Sequence, residues 1–168
     1  QGSDVSDALL DSATEEVHPS DDGLIIYTSG TSSRPKGVLH MQRAPVIQSY
    51  RLADYMRLDT QDRVFTAQPF FWTAGISMSL ISTLEAGACL ILQETFEPQG
   101  ALDLIERERA TTIHAWGHQH KAMAEHVSAS DRDLHALRRI PPDSPLGKIA
   151  RVDPEKDSWG LQGSYGLS

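Results

Sequence analysis

Two apolar runs, Leu24-Ile25-Ile26 and Val38-Leu39, bracket the stretch Tyr27-Thr28-Ser29-Gly30-Thr31-Ser32-Ser33-Arg34-Pro35-Lys36-Gly37. Such a stretch reads as a loop between two strands, Leu24 to Tyr27 and Val38 to His40. Thr28, Ser29, Thr31, Ser32 and Ser33 offer hydroxyl donors. Gly30 and Gly37 let the backbone approach closely, and Lys36 supplies a compact positive charge. Together they have the chemistry of a phosphate cradle. The bland alternative is an ordinary Ser/Thr/Gly turn, which would not require Arg34-Pro35-Lys36-Gly37 in register with Tyr27-Thr28-Ser29-Gly30. A Walker-type P-loop is excluded, because the lysine precedes the second glycine and Val38 follows it.

Beyond the loop, strand-like apolar runs alternate with helix-length periodic segments, the pattern of an α/β domain. Pro45 to about Leu58 predicts a helix with Val46, Ile47, Tyr50, Ala53 and Met56 as core contacts, followed by a strand at Val64 to Ala67. Gly75 to Ala86 predicts a helix built on Ile76, Leu80 and Leu84, with Gly87 as its C-cap before a strand at Ala88 to Leu92. Pro98 opens a further helix carrying Leu102 and Ile105. Thr111 to Trp116 then reads as a strand, Lys121 to about Ser128 as a helix, and the proline-dense Pro141 to Gly160 as an irregular connection.

A chain of 168 residues with 39% hydrophobic residues can bury a core of ordinary domain size. It has no run near the roughly 18 apolar residues of a membrane span and no signal-like opening, so a soluble cytoplasmic protein is the expectation. Cys89 stands alone in Ala88-Cys89-Leu90-Ile91-Leu92 and is expected to be a buried, inert thiol. Asp4, Asp7, Asp11, Glu15, Glu16, Asp21 and Asp22 account for all but one of the net −8, so residues 1–22 form an acidic lead-in, a solvated face or flexible segment. Its opening Gln1-Gly2-Ser3 has the form of a tag-cleavage remnant. The nearly neutral body argues against a nucleic-acid partner.

The run Tyr27 to Gly37 resembles the Tyr-Thr-Ser-Gly-Thr-Thr-Gly-x-Pro-Lys-Gly signature of the adenylate-forming superfamily, with Ser33 standing where the family has glycine. The terminal Tyr165-Gly166-Leu167-Ser168 resembles a second signature, Tyr-Gly-x-Ser/Thr followed by glutamate. A third likeness is Gln68-Pro69-Phe70-Phe71-Trp72-Thr73-Ala74-Gly75, similar to the Pro-Leu-Phe-His-x-x-Gly segment that helps shape the acyl pocket of acyl-CoA synthetases. Trp72 takes the histidine position, and an indole cannot carry a proton, so gating there would act by shape and stacking. The adenine-lining Gly-Gly turn of relatives is replaced by Pro142-Asp143-Ser144-Pro145-Leu146. No Phe-Asp-x-Ser of the peptide-synthetase branch is present, which favours the acyl-CoA synthetases.

The resemblance implies an α/β fold forming part of the synthetase N-terminal domain, with residues 23–168 a partial adenylation domain truncated at its C-terminal end. It implies ATP, a small-molecule carboxylate and coenzyme A as substrates, and Mg²⁺ whose glutamate ligand falls past Ser168. It assigns Lys36 and Thr28 to catalysis, and Thr28, Ser29, Gly30, Thr31, Ser32, Ser33, Lys36 and Gly37 to nucleotide binding, with Lys36 and the hydroxyls of Thr28, Ser29, Thr31 and Ser32 on the β- and γ-phosphates. Tyr165, Gly166 and Ser168 belong to the adenylate end, and Phe71, Trp72 and His118 to the substrate pocket. The activity so implied is carboxylate activation as an acyl-adenylate followed by transfer to coenzyme A, with this stretch inactive alone. A stand-alone nucleotide-binding module and a domain loading a carrier protein are the alternatives. His114, His118, His120 and His126 do not have metal-ligand spacing.

Overall fold

The computed structural model describes residues 5–29 and 34–153. A helix α1 (Asp7–Glu15) precedes the hairpin β1 (Asp22–Thr28) and β2 (Lys36–Met41), and α2 (Arg43–Tyr55) follows. Then come β3 (Arg63–Thr66) and α3, a π-helical stretch Ala74–Ile81 continued by an α-turn Ser82–Glu85. The order closes with β4 (Cys89–Leu92), α4 (Pro98–Arg107), β5 (Thr112–His114), α5 (Gly117–Ala124), a 3₁₀ turn Ala129–Asp131 and α6 (Pro145–Ala150).

The acidic lead-in is ordered by capping rather than packing. Ser6 accepts the Leu9 amide and none of the α1 residues is buried. In the antiparallel hairpin, alternation turns Leu24, Ile26, Val38 and His40 inward and leaves Ile25, Tyr27 and Leu39 exposed. The second sheet is parallel, in the order β4-β3-β5. On one face Phe65, Ile91 and Ile113 pack with Leu102 and Ile105 of α4, Met123 of α5 and Leu146 of α6. On the other face the polar side chains of Thr66 and His114 meet α3, and α2 lies against α3.

Several expectations are corrected. Val46, Ile47 and Tyr50 are 50%, 46% and 64% exposed, because α2 turns Ser49, Ala53 and Met56 inward. The small residues allow close approach, and Ser49 Oγ donates to the Ser77 carbonyl at 3.0 Å. The apolar helix from Gly75 is mainly π-helical, and Leu84 is 61% exposed. Cys89 is exposed, since it opens the edge strand of the parallel sheet. The third parallel strand is confined to Thr112–His114, and α5 starts at Gly117, earlier than its periodicity suggested. Within the proline-dense stretch, Ser144 caps a short helix with Pro145 in its first turn, where a missing amide is harmless. Gly87, by contrast, behaves as expected. At φ +66° it ends α3, with its amide bonded to Leu84 and that of Ala88 to Thr83.

At the N-terminal edge of the parallel sheet, a buried carboxylate ties three segments together. Asp62 Oδ1 accepts from Thr111 Oγ1 at 2.7 Å, from Arg138 Nη2 at 2.9 Å and from Arg139 Nη1. Its Oδ2 accepts the Asp59 amide at 2.9 Å. Burial pushes this carboxyl up, but the bonds from Thr111, Arg138 and the Asp59 amide, with the Arg139 charge, more than offset it and hold it below its ordinary value.

Candidate functional site

Thr28 is the last residue of β1 and Lys36 the first of β2, and the two are direct partners in the hairpin register. The Thr28 hydroxyl donates to the Lys36 carbonyl at 3.5 Å, closing the base of the loop. Lys36 is exposed, and among the described residues no carboxylate pairs with it. One residue along, Tyr27 pairs with Gly37, where a Cβ would stand 2.9 Å from Ile25 Cγ2. Ser29 is exposed at the mouth. The hairpin therefore presents a lysine and two hydroxyl residues at one end. The expectations for Gly30, Thr31, Ser32, Ser33, Tyr165, Gly166 and Ser168 lie outside the described residues.

The aromatic residues gather at the C-terminal edge of the parallel sheet, where ligands of open α/β sheets bind. Leaving β3, the chain turns at Pro69 and shows Phe70, Phe71 and Trp72 at 37%, 73% and 38% exposure. Phe71 and Trp72 stand with ring centroids 6.1 Å apart, tilted by 50°. Gly75 closes this turn, because a Cβ there would lie 2.1 Å from the Pro69 carbonyl oxygen. Leaving the adjacent β5, Trp116 and His118 form a second tilted pair at 5.7 Å, both exposed. His120 points inward instead and is buried, as residues two apart on a helix must diverge. Burial holds its imidazole below the ordinary value, against a bond to the Ala115 backbone.

Beneath these two rims lies a buried polar knot. The Gln68 amide donates to Thr66 Oγ1 at 3.1 Å, Thr66 Oγ1 donates to Ser79 Oγ at 3.0 Å, and Ser79 Oγ donates to Gln68 Oε1 at 3.0 Å. His114 Nδ1 joins Ser79 Oγ at 3.2 Å. With the serine proton given to Gln68, the imidazole is the donor there. Complete burial lowers the His114 pKa to about 4, so the ring is neutral. Beside the knot, Gln119 accepts the Trp116 amide at 2.9 Å and donates to the Ala67 carbonyl at 3.0 Å. The sequence assigns no site role to Thr66, Ser79 or Gln119, and Gln68 enters it only as the first residue of the aromatic segment. The one signal was a run of serines and a threonine, Ser77, Ser79, Ser82 and Thr83, inside an otherwise apolar helix.

A concavity of about 620 Å³ lies at the opposite edge of the sheet, lined by Arg63, Arg107, Glu108, Arg109, Thr111 and Arg138 among others. Arg63 and Arg107 are paired with Glu108 and Arg138 with Asp62, so its charge is largely internal. It shares no residue with the hairpin mouth or the aromatic rims. Among the described residues no three His, Cys, Asp or Glu side chains stand together as a group that could hold a metal ion. None of the described helices is long and apolar enough to cross a membrane.

A family model for AMP-binding enzymes matches residues 2–150. A methyl-dioxo-octahydroindenyl-propanoyl:CoA ligase of Mycobacterium tuberculosis is 32% identical over 155 residues, covering 90% of this chain and 31% of that protein. The anthranilate CoA ligase AuaEII in complex with anthranoyl-AMP superposes with a TM-score of 0.66 at 26% identity, over 73% of this chain and 24% of that one. ATP-bound MatB from Rhodopseudomonas palustris superposes with a TM-score of 0.65 at 26% identity, over 77% and 27%. The chain thus spans less than a third of the length of these relatives.

Proposed function

Because the chain belongs to the AMP-binding enzyme family, we propose that it supplies the triphosphate grip and the carboxylate-pocket rims of an ATP-dependent carboxylate–CoA ligase. The observation that carries this is the pairing of Thr28 with Lys36 across the loop base, which sets a lysine free of carboxylate partners among the described residues beside hydroxyl groups. A carboxylate oxygen attacks the α-phosphorus of ATP, and the bond to the bridging oxygen breaks. Pyrophosphate leaves with the electron pair and an acyl-adenylate remains. The thiol sulfur of coenzyme A then attacks the acyl carbon, loses its proton, and AMP departs. Lys36, with Thr28, Ser29, Thr31 and Ser32, holds the β- and γ-phosphates as negative charge builds on the leaving group. Gly30, Ser33 and Gly37 complete the nucleotide-binding set, and Tyr165, Gly166 and Ser168 address the adenylate.

The two rims suit the acyl portion, since Phe71 and Trp72 on one side and His118 beside Trp116 on the other present ring surface at a strand edge. Magnesium, when bound, would neutralise phosphate charge, held by the phosphates themselves and few protein oxygens. In the full-length protein, Lys36→Ala should slow carboxylate-dependent pyrophosphate release by about 10²-fold, the scale of removing one electrostatic contact to a developing charge. Folding should be undisturbed, as Lys36 is exposed. Undiminished pyrophosphate release by the variant would refute the role given to the loop.

A further inference from the structure

We propose that Gln119 and Ser79 are positioning residues that lock the two aromatic rims into one fixed mouth, and so set which carboxylates fit. This rests on the reading that the rims border the carboxylate. The Gln119 amide spans the exits of two neighbouring strands, bonding the Ala67 carbonyl at the end of β3 and the Trp116 amide at the start of α5. Those exits are already side by side, since the Ala67 amide donates to the His114 carbonyl at 3.1 Å. Ser79 does the same work from below. Its hydroxyl joins Gln68, which opens the first rim, to Thr66 and His114 on both strands.

These links are buried and directional. Ser79 is 0% exposed, Gln119 5%, Gln68 8% and His114 1%. In the closed ring of Thr66, Ser79 and Gln68 every member gives and accepts a bond, an arrangement that admits a single geometry. An apolar core would hold the sheet as well but would let the rims slide, because hydrophobic packing is non-directional. Neither side chain is exposed to a ligand, so each acts only through the residues it holds.

The test is steady-state kinetics of the full-length protein with Gln119→Met, which keeps the side-chain length without its bonds, and Ser79→Ala, which empties the ring with minimal change in volume. A core substitution remote from the rims, Leu137→Ala, serves as a control for lost stability alone. The expected result is a rise of about tenfold in KM for the carboxylate with KM for ATP within twofold of the parent, and no such split for Leu137→Ala. The split must appear in Ser79→Ala even should Gln119→Met fail to fold. Equal changes in both KM values, or none, overturn the proposal. A parent protein that releases no carboxylate-dependent pyrophosphate overturns instead the ligase reading beneath it.

Discussion

Replacing Asp62 with Asn removes one charge from the knot that pins the sheet's lower edge and changes little else in shape. The carboxylate accepts four hydrogen bonds, from Thr111, Arg138, Arg139 and the Asp59 amide. An asparagine can offer its carbonyl to the first three, but its NH₂ then faces the Asp59 amide, donor against donor, at a cost of about 1 kcal/mol. Both guanidiniums lose their counter-charge and keep only Asp59 Oδ2, at 3.9 Å from Arg138 and 3.7 Å from Arg139. Breaking a buried pair typically costs about 3–5 kcal/mol. Arg138 is 39% exposed and regains water, which argues for the lower end, about 3 kcal/mol. With a urea slope of about 2 kcal/mol/M, the unfolding midpoint should fall by about 1.5 M. Asp59→Asn, at a side chain 54% exposed, should cost under about 1 kcal/mol. A midpoint shift for Asp62→Asn no larger than that of Asp59→Asn would refute the reasoning. The folded carboxyl is held below its ordinary value of 3.8, so its stabilisation is full above that pH and is lost as pH falls through the lower folded value.

Other outcomes follow from buried histidines, a crowded glycine and a strained arginine. His114 titrates near 4 when folded against 6.5 ordinarily, so the unfolded state binds the proton first. Stability measured by urea titration should therefore be full above about pH 6.5 and fall by up to about 1.4 kcal/mol per unit towards pH 4. His114→Gln should flatten that slope, leaving the smaller part due to His120, whose value is lowered in the same direction. Gly75→Ala forces a Cβ onto the Pro69 carbonyl and should lower stability by about 1–3 kcal/mol, with altered Trp72 fluorescence marking the displaced rim. Arg57 ends α2 at φ 52°, so Arg57→Gly should raise the urea midpoint, by up to about 1 kcal/mol in stability, while the Arg139 bond to its carbonyl persists.

Elements whose own residues decide them were legible in the sequence. The strands flanking the loop, the Pro98 start of α4 and the glycine end of α3 all rest on local chemistry. What escaped depends on neighbours distant in sequence. Nothing in Val46, Ile47 and Tyr50 says that α2 will turn Ser49 towards Ser77, and nothing in Cys89 says that its strand lies at an edge. The loop and the aromatic segment were found because their composition is unusual. Gln119 and Ser79 were not, because a polar side chain shows in sequence neither its burial nor its partner. The acidic start forms a helix that Ser6 caps and that buries none of its residues, an order its charge pattern does not announce.

The wide turns between Ala74 and Ile81 have a consequence for descent. A π-helix holds one residue more per span than an α-helix needs, so this stretch has a spare position directly downstream of Phe71 and Trp72. Loss of a single codon there could be absorbed by reversion to four-apart hydrogen bonds, with no strand shortened and no loop broken. Seven α-helical residues at about 100° each turn the chain through nearly the same angle as the eight wider ones, so the aromatic rim, β3 and β4 would keep their orientation. The segment behind the rim therefore tolerates a change of length that an ordinary helix in the same place would pass on to both of its neighbours.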